Sequence, residues 1–305
     1  PACLMCDAYE ILLKKFADDS KAQAGEFYTP RSVVRLLVHI LDPQPGETVY
    51  DPACGSGGML IEAIRYMHDD SLCCGSIFGQ EKNVVNAAIA KMNLFLHGAS
   101  DFNVMQGDTL RDPKILQGGN IAKFDCVIAN PPFSLENWGA TEWSSDKYKR
   151  NIYGTPSDSC GDYAWIQHMI CSMSSGKGRM AVVMPQGILF RGNQEAEIRK
   201  QLVESNLIEA VVTLGDKLFY ETGLSPCFLI IRRMKQAHHS GRILMIDGSK
   251  ILTQKRAQNI LEENDIDRLY SLYQNYSDEE DYSRIVTLQE ISCLLYTSDA
   301  ADERS

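Results

Sequence analysis

Residues 51–58 read Asp-Pro-Ala-Cys-Gly-Ser-Gly-Gly, and this stretch decides the fold of the chain. It follows a short apolar strand that ends at Asp51 and precedes a helix whose buried face is marked by Leu60, Ile64 and Met67. In an open α/β sheet, such a turn lies against a nucleotide-like ligand, and glycines let the backbone approach that ligand closely. No Gly-Lys-Ser/Thr ends the run, so it is not a phosphate-binding P-loop. We therefore predict a ligand cleft in which the Asp51 carboxylate suits a cationic or amino-bearing cofactor.

Helices and strands alternate on both sides of this turn. A helix is predicted over residues 7–18, and a second helix has Thr29 as its N-cap and Pro30 at its first position. The buried face of that second helix is predicted from Val33, Val34, Leu37, Val38 and Leu41. A later helix is predicted to bury Val84, Val85, Ala88, Ile89 and Met92. Apolar runs predict strands near residues 77–81, 102–105, 124–129, 180–184, 208–214, 226–231 and 243–246. This order predicts an α/β fold with a mostly parallel sheet, helices on both faces and flanking helical segments.

The chain divides into four predicted parts. Residues 1–45 are interpreted as the remnant of an N-terminal helical region, and residues 46–250 as the main α/β domain. Residues 251–292 become polar and are predicted to form a helical extension. Residues 293–305 resemble a translated sequencing-adapter peptide and are predicted to be a non-native tail. Because the chain starts with Pro rather than Met, we expect a fragment whose beginning is missing.

Composition restricts the class of protein. The chain has 305 residues, of which 44% are hydrophobic, so it can bury a large core. It lacks the roughly eighteen continuous apolar residues of a membrane span and a signal-peptide pattern, so we expect a cytoplasmic protein. The formal net charge is −10. Since neutralisation of phosphates dominates DNA binding, we expect DNA affinity to require a local basic patch or a partner.

The ten cysteines and six histidines do not form a recognisable ligand set. The cysteines are scattered, and several fall within apolar segments, so we predict free thiols. Cys3-Leu4-Met5-Cys6 has zinc-like spacing, but no second pair completes four ligands. We therefore predict no metal site.

Asn130-Pro131-Pro132-Phe133 directly follows the apolar strand at residues 124–129. Two prolines remove two backbone donors and stiffen the turn, so the Asn130 amide and nearby carbonyls become fixed acceptors. Such a site suits a planar amino group, and Phe133 offers a flat face on which a nucleobase can stack. An ordinary strand-ending turn with a core Phe is the alternative for so short a match.

Acidic side chains end the second and third predicted strands. Glu81 lies close to the ~20-residue offset after the Gly-rich turn at which a carboxylate meets ribose hydroxyls. Asp108 occupies the corresponding end of the third strand. For Asp108, contact with a cofactor and an Asx turn or helix cap remain open alternatives.

Taken in order, three motifs resemble those of the modification subunit of type I restriction-modification systems: Gly-Glu-Phe-Tyr-Thr-Pro-Arg at 25–31, the run at 51–58, and Asn-Pro-Pro-Phe at 130–133. The likeness extends over residues 7–290 and includes Gly-Asp-Tyr-Ala at 161–164 and Leu-Phe-Arg-Gly at 189–192. This family consists of S-adenosylmethionine-dependent, adenine-N6 DNA methyltransferases with a Rossmann-like fold.

The resemblance implies roles for single residues. A segment folds over the cofactor, consisting of Glu26, Phe27, Tyr28, Thr29, Pro30 and Arg31. Ser56, Gly57 and Gly58 line the methionine side of the cofactor, Glu81 binds its ribose, and Asp108 contacts its adenine. Asn130 and the Pro131 carbonyl accept hydrogen bonds from the amino group of a flipped adenine, Pro132 stiffens the turn, and Phe133 stacks on the base. The implied partners are duplex DNA, a specificity subunit that recognises the sequence, a restriction subunit with nuclease and translocase activity, and a second copy of the chain.

The segment 134–160 is long and polar, contains Trp138, Trp143, Tyr148 and Tyr153, and carries the cluster Lys147-Tyr148-Lys149-Arg150. A lid over the DNA and a solvated loop without specific contacts are both open interpretations. Two rival functions also stay open. One is a protein glutamine methyltransferase with a similar Asn-Pro-Pro-aromatic site, and the other is a catalytically silent assembly subunit.

Overall fold

The computed structural model describes residues 29–67, 75–219, 225–255 and 258–291. Several predictions concern residues outside these ranges: the helix at 7–18, the Cys3–Cys6 pair, the cofactor-covering residues Glu26, Phe27 and Tyr28, and the tail at 293–305. Within the described ranges, no helix has both the length and the apolar character needed to span a bilayer.

The described elements alternate along the chain as the apolar pattern predicts. The first half contains α1 (Arg31–Leu41), β1 (Val49–Asp51), α2 (Gly58–Met67), β2 (Ile77–Glu81), α3 (Val84–Leu96), β3 (Phe102–Gln106), β4 (Leu116–Gln117), β5 (Asn120–Ile121) and β6 (Cys126–Ala129). The second half contains α4 (Ala140–Ser144), α5 (Asp162–Ser172), β7 (Arg179–Pro185), α6 (Gln194–Glu204), β8 (Ile208–Leu214), β9 (Pro226–Arg232), β10 (Arg242–Gly248), α7 (Glu263–Asn275) and β11 (Ser283–Thr287).

Among the described residues, nine strands form one sheet in the order β11-β10-β8-β9-β7-β6-β1-β2-β3, while β4 pairs with β5. The strands β3, β2, β1, β6 and β7 are mutually parallel, and β9 runs antiparallel to both of its neighbours. The predicted mostly parallel sheet is therefore confirmed. Because parallel strands share one carboxyl edge, the residues that follow β1, β2, β3, β6 and β7 are brought to the same side of the sheet.

Two hydrophobic layers cover the sheet, one on each face. One layer contains α1, α2 and α7, and the other contains α5 together with residues of the segment 134–160. The predicted face of α1 is buried, comprising Val33, Val34, Leu37, Val38 and Leu41. The helix ends at Asp42, whose backbone is left-handed and whose N–H donates to the Val38 carbonyl at 2.8 Å. The sheet is thus covered on both faces, so its carboxyl edge is the place where a ligand can reach the ends of the strands.

The predicted start of α1 is wrong by one residue. The helix begins at Arg31 with Pro30 in the N-cap position, and Thr29 does not cap it. The hydroxyl of Thr29 instead accepts a hydrogen bond from the Asn130 side chain. A tertiary contact with a turn about a hundred residues away therefore replaces the local cap that the sequence pattern favoured.

The predicted buried face of α3 is also wrong. Val84 and Val85 are 67% and 61% exposed, whereas Asn93 and Ala90 are buried. Ala90 packs against the Gly-rich turn, because a Cβ placed on Gly57 would lie only 3.5 Å from it. Asn93 donates to the Ser56 carbonyl at 2.7 Å. Close packing and this hydrogen bond determine which side of the helix faces inward, and they outweigh the larger apolar side chains.

The segment beyond residue 250 contains α7, as its helical pattern predicts. A capping box between Glu262 and Asp265 starts this helix. The prediction missed β11, which extends the main sheet by pairing antiparallel with β10. The segment thus closes one edge of the sheet in addition to supplying a helix.

Candidate active site at the carboxyl edge of the sheet

The side chain of Asn130 is held from one side and left with one unused atom. Its Nδ2 donates to Thr29 Oγ1 at 2.9 Å. Its Oδ1 is buried and has no hydrogen-bond partner within the described part of the chain. Buried polar atoms are nearly always paired, since an unpaired one costs about 1–3 kcal/mol. The arrangement is therefore an acceptor oriented by Thr29 and available to a ligand.

A buried carboxylate fixes the backbone immediately after Phe133. Asp162 Oδ1 accepts from the Ser134 N–H at 2.7 Å, and Oδ2 accepts from Arg191 at 2.8 Å. Ser134 has a left-handed backbone, with φ of 50°, so this hydrogen bond holds a strained residue in place. Phe133 itself is half-buried against the hydrophobic layer of α1 and α2. Sequence reasoning gave Asp162 no role, and the signal for one was a carboxylate at the first position of a helix that is mostly apolar.

The Gly-rich turn between β1 and α2 is held by two side-chain hydrogen bonds and leaves open space at Gly58. Gly57 has φ of +85°, a conformation that suits glycine, and a Cβ on Gly58 would meet nothing within 4 Å. Thr109 Oγ1 donates to the Pro52 carbonyl at 2.6 Å. Together with the bond from Asn93 to Ser56, this contact holds the turn in shape. Thr109 and Asn93 are supports that sequence reasoning did not single out.

Two acidic side chains, Asp51 and Glu81, lie at this part of the edge. Burial and the neighbouring charge of Glu81 raise the pKa of Asp51 to about 8, although the Ala53 N–H stabilises its ionised form. Glu81 accepts from the Gly55 N–H at 2.9 Å and from the Asn83 N–H at 2.7 Å. A cationic group beside Asp51 would lower this pKa and favour the ionised carboxylate. Binding of such a ligand at Asp51 stays a prediction.

Asp108 forms the Asx turn that was one of its two open interpretations. Its Oδ1 accepts from the N–H groups of Leu110 and Arg111, each at 3.2 Å. Its Oδ2 pairs with Lys82 at 2.9 Å. Both oxygens are therefore engaged, one by the turn and one by the exposed Lys82, and contact with a cofactor stays a prediction for this residue.

Comparison with known proteins identifies the family to which this edge belongs. The sequence matches the N-6 DNA Methylase family over residues 2–300. This chain belongs to the N-6 DNA methylase family. A relative at 38% identity over 93% of the chain is the type I restriction enzyme MjaVII methylase subunit of Methanocaldococcus jannaschii, and 50% of that relative is covered. The HindI methylase subunit of Haemophilus influenzae is 32% identical over 93% of the chain and 64% of its own length.

Solved structures agree with this membership. The methyltransferase subunit of a type I restriction-modification system from Streptococcus thermophilus superimposes with a TM-score of 0.84 at 30% identity, covering 94% of this chain and 60% of that one. A class I S-adenosylmethionine-dependent methyltransferase from Listeria monocytogenes, 15% identical, shares the fold with a TM-score of 0.63. The fold is thus that of class I S-adenosylmethionine-dependent methyltransferases. The chain spans about half the length of the first curated relatives that it matches.

In this N-6 DNA methylase, the segment 134–160 is packed rather than a solvated loop. Trp138 and Trp143 are buried and contact each other edge to face. Arg150, predicted as part of a DNA-binding basic cluster, is only 1% exposed. Its guanidinium donates to Asp146, His168, and the carbonyls of Thr109 and Leu110. Arg150 is therefore a structural residue, while the neighbouring Lys147 and Lys149 remain exposed.

The described part of the N-6 DNA methylase contains one group of side chains with metal-ligand spacing: Cys160, Asp162 and Glu195. The guanidinium of Arg191 donates to all three. Burial raises the pKa of the Cys160 thiol to about 12. A cation is thus already supplied by the chain itself, and the group acts as an ion-pair cluster that steadies Asp162.

Proposed function

We propose that the full-length protein transfers a methyl group from S-adenosylmethionine to N6 of an adenine flipped out of duplex DNA, as the modification subunit of a type I restriction-modification complex. The observation that carries this proposal is the buried, unpaired Oδ1 of Asn130 at the ligand-binding edge. A planar amino group is the partner that such an acceptor requires. The named relatives, which are methylase subunits of type I restriction enzymes, support DNA as the substrate.

The turn performs catalysis by positioning. S-adenosylmethionine supplies an activated methyl group on a sulfonium, so no strong base is required. Asn130 Oδ1 and the Pro131 carbonyl accept hydrogen bonds from the adenine amino group and turn the N6 lone pair toward the methyl. The Pro132 ring stiffens the turn. Phe133 stacks on the flipped base and offsets part of the flipping cost, which is a few kcal/mol.

The residues at the edge fit the cofactor by charge and by shape. Asp51, whose pKa is raised to about 8, ionises when a cationic group of the cofactor lies beside it, and Glu81 binds the ribose. Ser56, Gly57 and Gly58 line its methionine side, where the start of α2 attracts a carboxylate. Asp108 contacts the adenine of the cofactor. The segment that covers the cofactor comprises Glu26, Phe27, Tyr28, Thr29, Pro30 and Arg31, and residues 46–250 form the methyltransferase domain.

Partners supply what the surface lacks. With a formal net charge of −10, the chain repels DNA phosphates. We therefore assign sequence recognition and most DNA affinity to a specificity subunit. A restriction subunit and a second copy of the chain complete the cytoplasmic complex.

A labelled-methyl assay tests the proposal. The full-length protein, assembled with its specificity subunit, is incubated with labelled S-adenosylmethionine and either duplex DNA or release-factor protein. We expect label in DNA as N6-methyladenine and none in protein. Label in a glutamine side chain would instead establish the protein glutamine methyltransferase. Absence of transfer to either substrate, with cofactor bound, would identify a silent assembly subunit.

A further inference from the structure

Phe190 is an exposed aromatic side chain for which the proposed reaction has not yet assigned a role. It lies after the 3-10 turn that follows β7, within the Leu-Phe-Arg-Gly motif at 189–192, and it is 74% exposed. Within the described part of the chain, no other large hydrophobic side chain is more exposed. Single exposed apolar residues are common on proteins, so exposure alone carries no conclusion. Phe190 differs from other exposed apolar residues in its hydrogen-bonded backbone and in its place in the fold.

The backbone around Phe190 is rigidly held. A 3-10 turn over Gln186–Leu189 precedes it, and the N–H groups of Phe190 and Arg191 both donate to the Gly187 carbonyl. Tyr163 Oη donates to the Ile188 carbonyl at 2.7 Å. Arg199, on α6, donates to the carbonyls on both sides of Phe190, those of Ile188 and Arg191. The exposed ring is therefore attached to a backbone that is already ordered, so binding of a ligand by the ring costs little backbone entropy.

Phe190 also belongs to the segment that follows a strand next to the one leading to Asn130. The Gly-rich turn follows β1, Asn130 follows β6, and the segment with Phe190 follows β7, which pairs with β6 on the side away from β1. The Gly-rich turn and the segment after β7 thus belong to the two strands on either side of β6. Asp162 connects the two halves of this surface, because it accepts from Ser134 beside Phe133 and from Arg191 beside Phe190.

The cation next to Phe190 in sequence is not available to a phosphate. Arg191, the adjacent cation, is paired with Asp162 and Glu195, so its charge is neutralised within the protein. Proteins that distort duplex DNA insert apolar wedges between base steps, and removal of one base from a stack leaves a gap that such a side chain can fill.

We propose that Phe190 enters the DNA base stack beside the target and occupies the space that the flipped adenine vacates. This inference rests on the proposed function, since it requires a flipped base. Phe190 is therefore a DNA-contacting residue that favours flipping. Its contribution is large where the target is paired with thymine and small where pairing is already lost.

Single-turnover methylation by the assembled complex tests this role. The recognition sequence is first mapped from the N6-methyladenine positions in DNA of cells that express the complex. Two duplexes are then compared, one with the target adenine paired and one with it mismatched. We expect Phe190→Ala to slow transfer about 10- to 100-fold on the paired duplex and less than about threefold on the mismatched one. Phe190→Trp should restore most of the rate, because it retains a stacking surface.

Phe95→Ala is the matched control. Phe95 is 70% exposed, but it lies near the end of α3, away from the carboxyl edge. We expect it to leave both rates unchanged. Equal slowing of Phe190→Ala on the two duplexes, or no slowing on either, would overturn the inference while the wild-type complex remained active. A wild-type complex that methylated neither duplex would overturn the proposed function itself.

Discussion

Asn130 and Arg150 are both polar residues in segments that the sequence marked as functional, and the structure treats them in opposite ways. Every one of the five N–H donors of Arg150 finds an acceptor, and its guanidinium also lies 4.4 Å from the Trp143 ring centroid. Asn130 uses its donor on Thr29 and leaves its buried oxygen without a partner in the described chain. A side chain whose hydrogen-bonding groups are all paired within the protein maintains structure. An unpaired acceptor at a ligand-binding edge is available to a ligand.

An unpaired buried atom indicates a ligand site only at certain places in the fold. Other buried atoms share the unpaired state, among them Trp165 Nε1 and His239 Nε2. Trp165 lies within α5, and His239 lies before β10, at the opposite edge of the sheet. Only where an unpaired acceptor follows a parallel strand at the carboxyl edge does it coincide with the place where such sheets bind ligands.

The largest effect expected on the structural side of the comparison is that of Arg150→Ala. It leaves the Asp146 carboxylate buried without its ion pair, and removal of one partner of such a pair costs about 3–5 kcal/mol. The free energy of unfolding, from denaturant melts of the full-length protein, should fall by this amount. Lys147→Ala, at the exposed residue that follows Asp146 in sequence, should leave the value unchanged. Equal stabilities of the Arg150 variant and the wild type would remove the structural assignment.

Asp162 shares features with both Arg150 and Asn130. Both of its oxygens accept hydrogen bonds, and one of them holds the backbone that follows Phe133. Asp162→Asn breaks the ion pair with Arg191 and should shift the Phe133 ring, which costs on the order of 10- to 100-fold in methyl transfer. The Kd for S-adenosylmethionine should stay within about twofold, since Asp162 acts on the base side. Glu195→Gln is the control, as it alters the same Arg191 without touching Ser134. A cofactor Kd that weakened as much as the rate fell would contradict this positioning role.

Much of the fold was predictable because its cause is local. Apolar runs end at Asp51, Glu81 and Asn130, and their alternation with helices predicts a mostly parallel sheet. The errors share a physical origin, which is contact between residues distant in sequence. The Thr29 hydroxyl meets Asn130 instead of capping α1, and Asn93 meets the Gly-rich turn, which rotates α3. The two prolines predict an acceptor role for Asn130, which stays a prediction, whereas its orientation by Thr29 was not predictable from the sequence.

The raised pKa of Asp51 predicts that the affinity for the cofactor depends on pH. Since that pKa is raised to about 8, the carboxyl is mostly neutral at pH 6 and binds a cationic cofactor only after losing a proton. The affinity for S-adenosylmethionine should therefore increase as the pH rises from 6 to 8, by up to about tenfold per pH unit. Calorimetric titration at several pH values measures this slope. Asp51→Asn should abolish it, and a slope that persisted in that variant would refute the assignment.

The smallest effect concerns the exposed neighbours of Arg150. Lys147→Glu together with Lys149→Glu should weaken DNA binding by the assembled complex and reduce the salt dependence of log K by about one unit per lysine. The same charge change at Lys91 and Lys177, both exposed and both outside the segment 134–160, serves as the control. Identical salt slopes for the two double variants would show that the segment 134–160 makes no contact with DNA phosphates.

The central claim is that the unpaired oxygen of Asn130 performs the chemistry and contributes little to the fold. The most direct measurement is methyl transfer to duplex DNA by the Asn130→Ala complex, with unfolding free energy and cofactor Kd determined on the same preparation. We expect transfer to fall by about 100-fold or more, while the unfolding free energy stays within about 1 kcal/mol and the cofactor Kd is retained. Transfer at the wild-type rate, or a loss of transfer matched by loss of the fold, would contradict the claim.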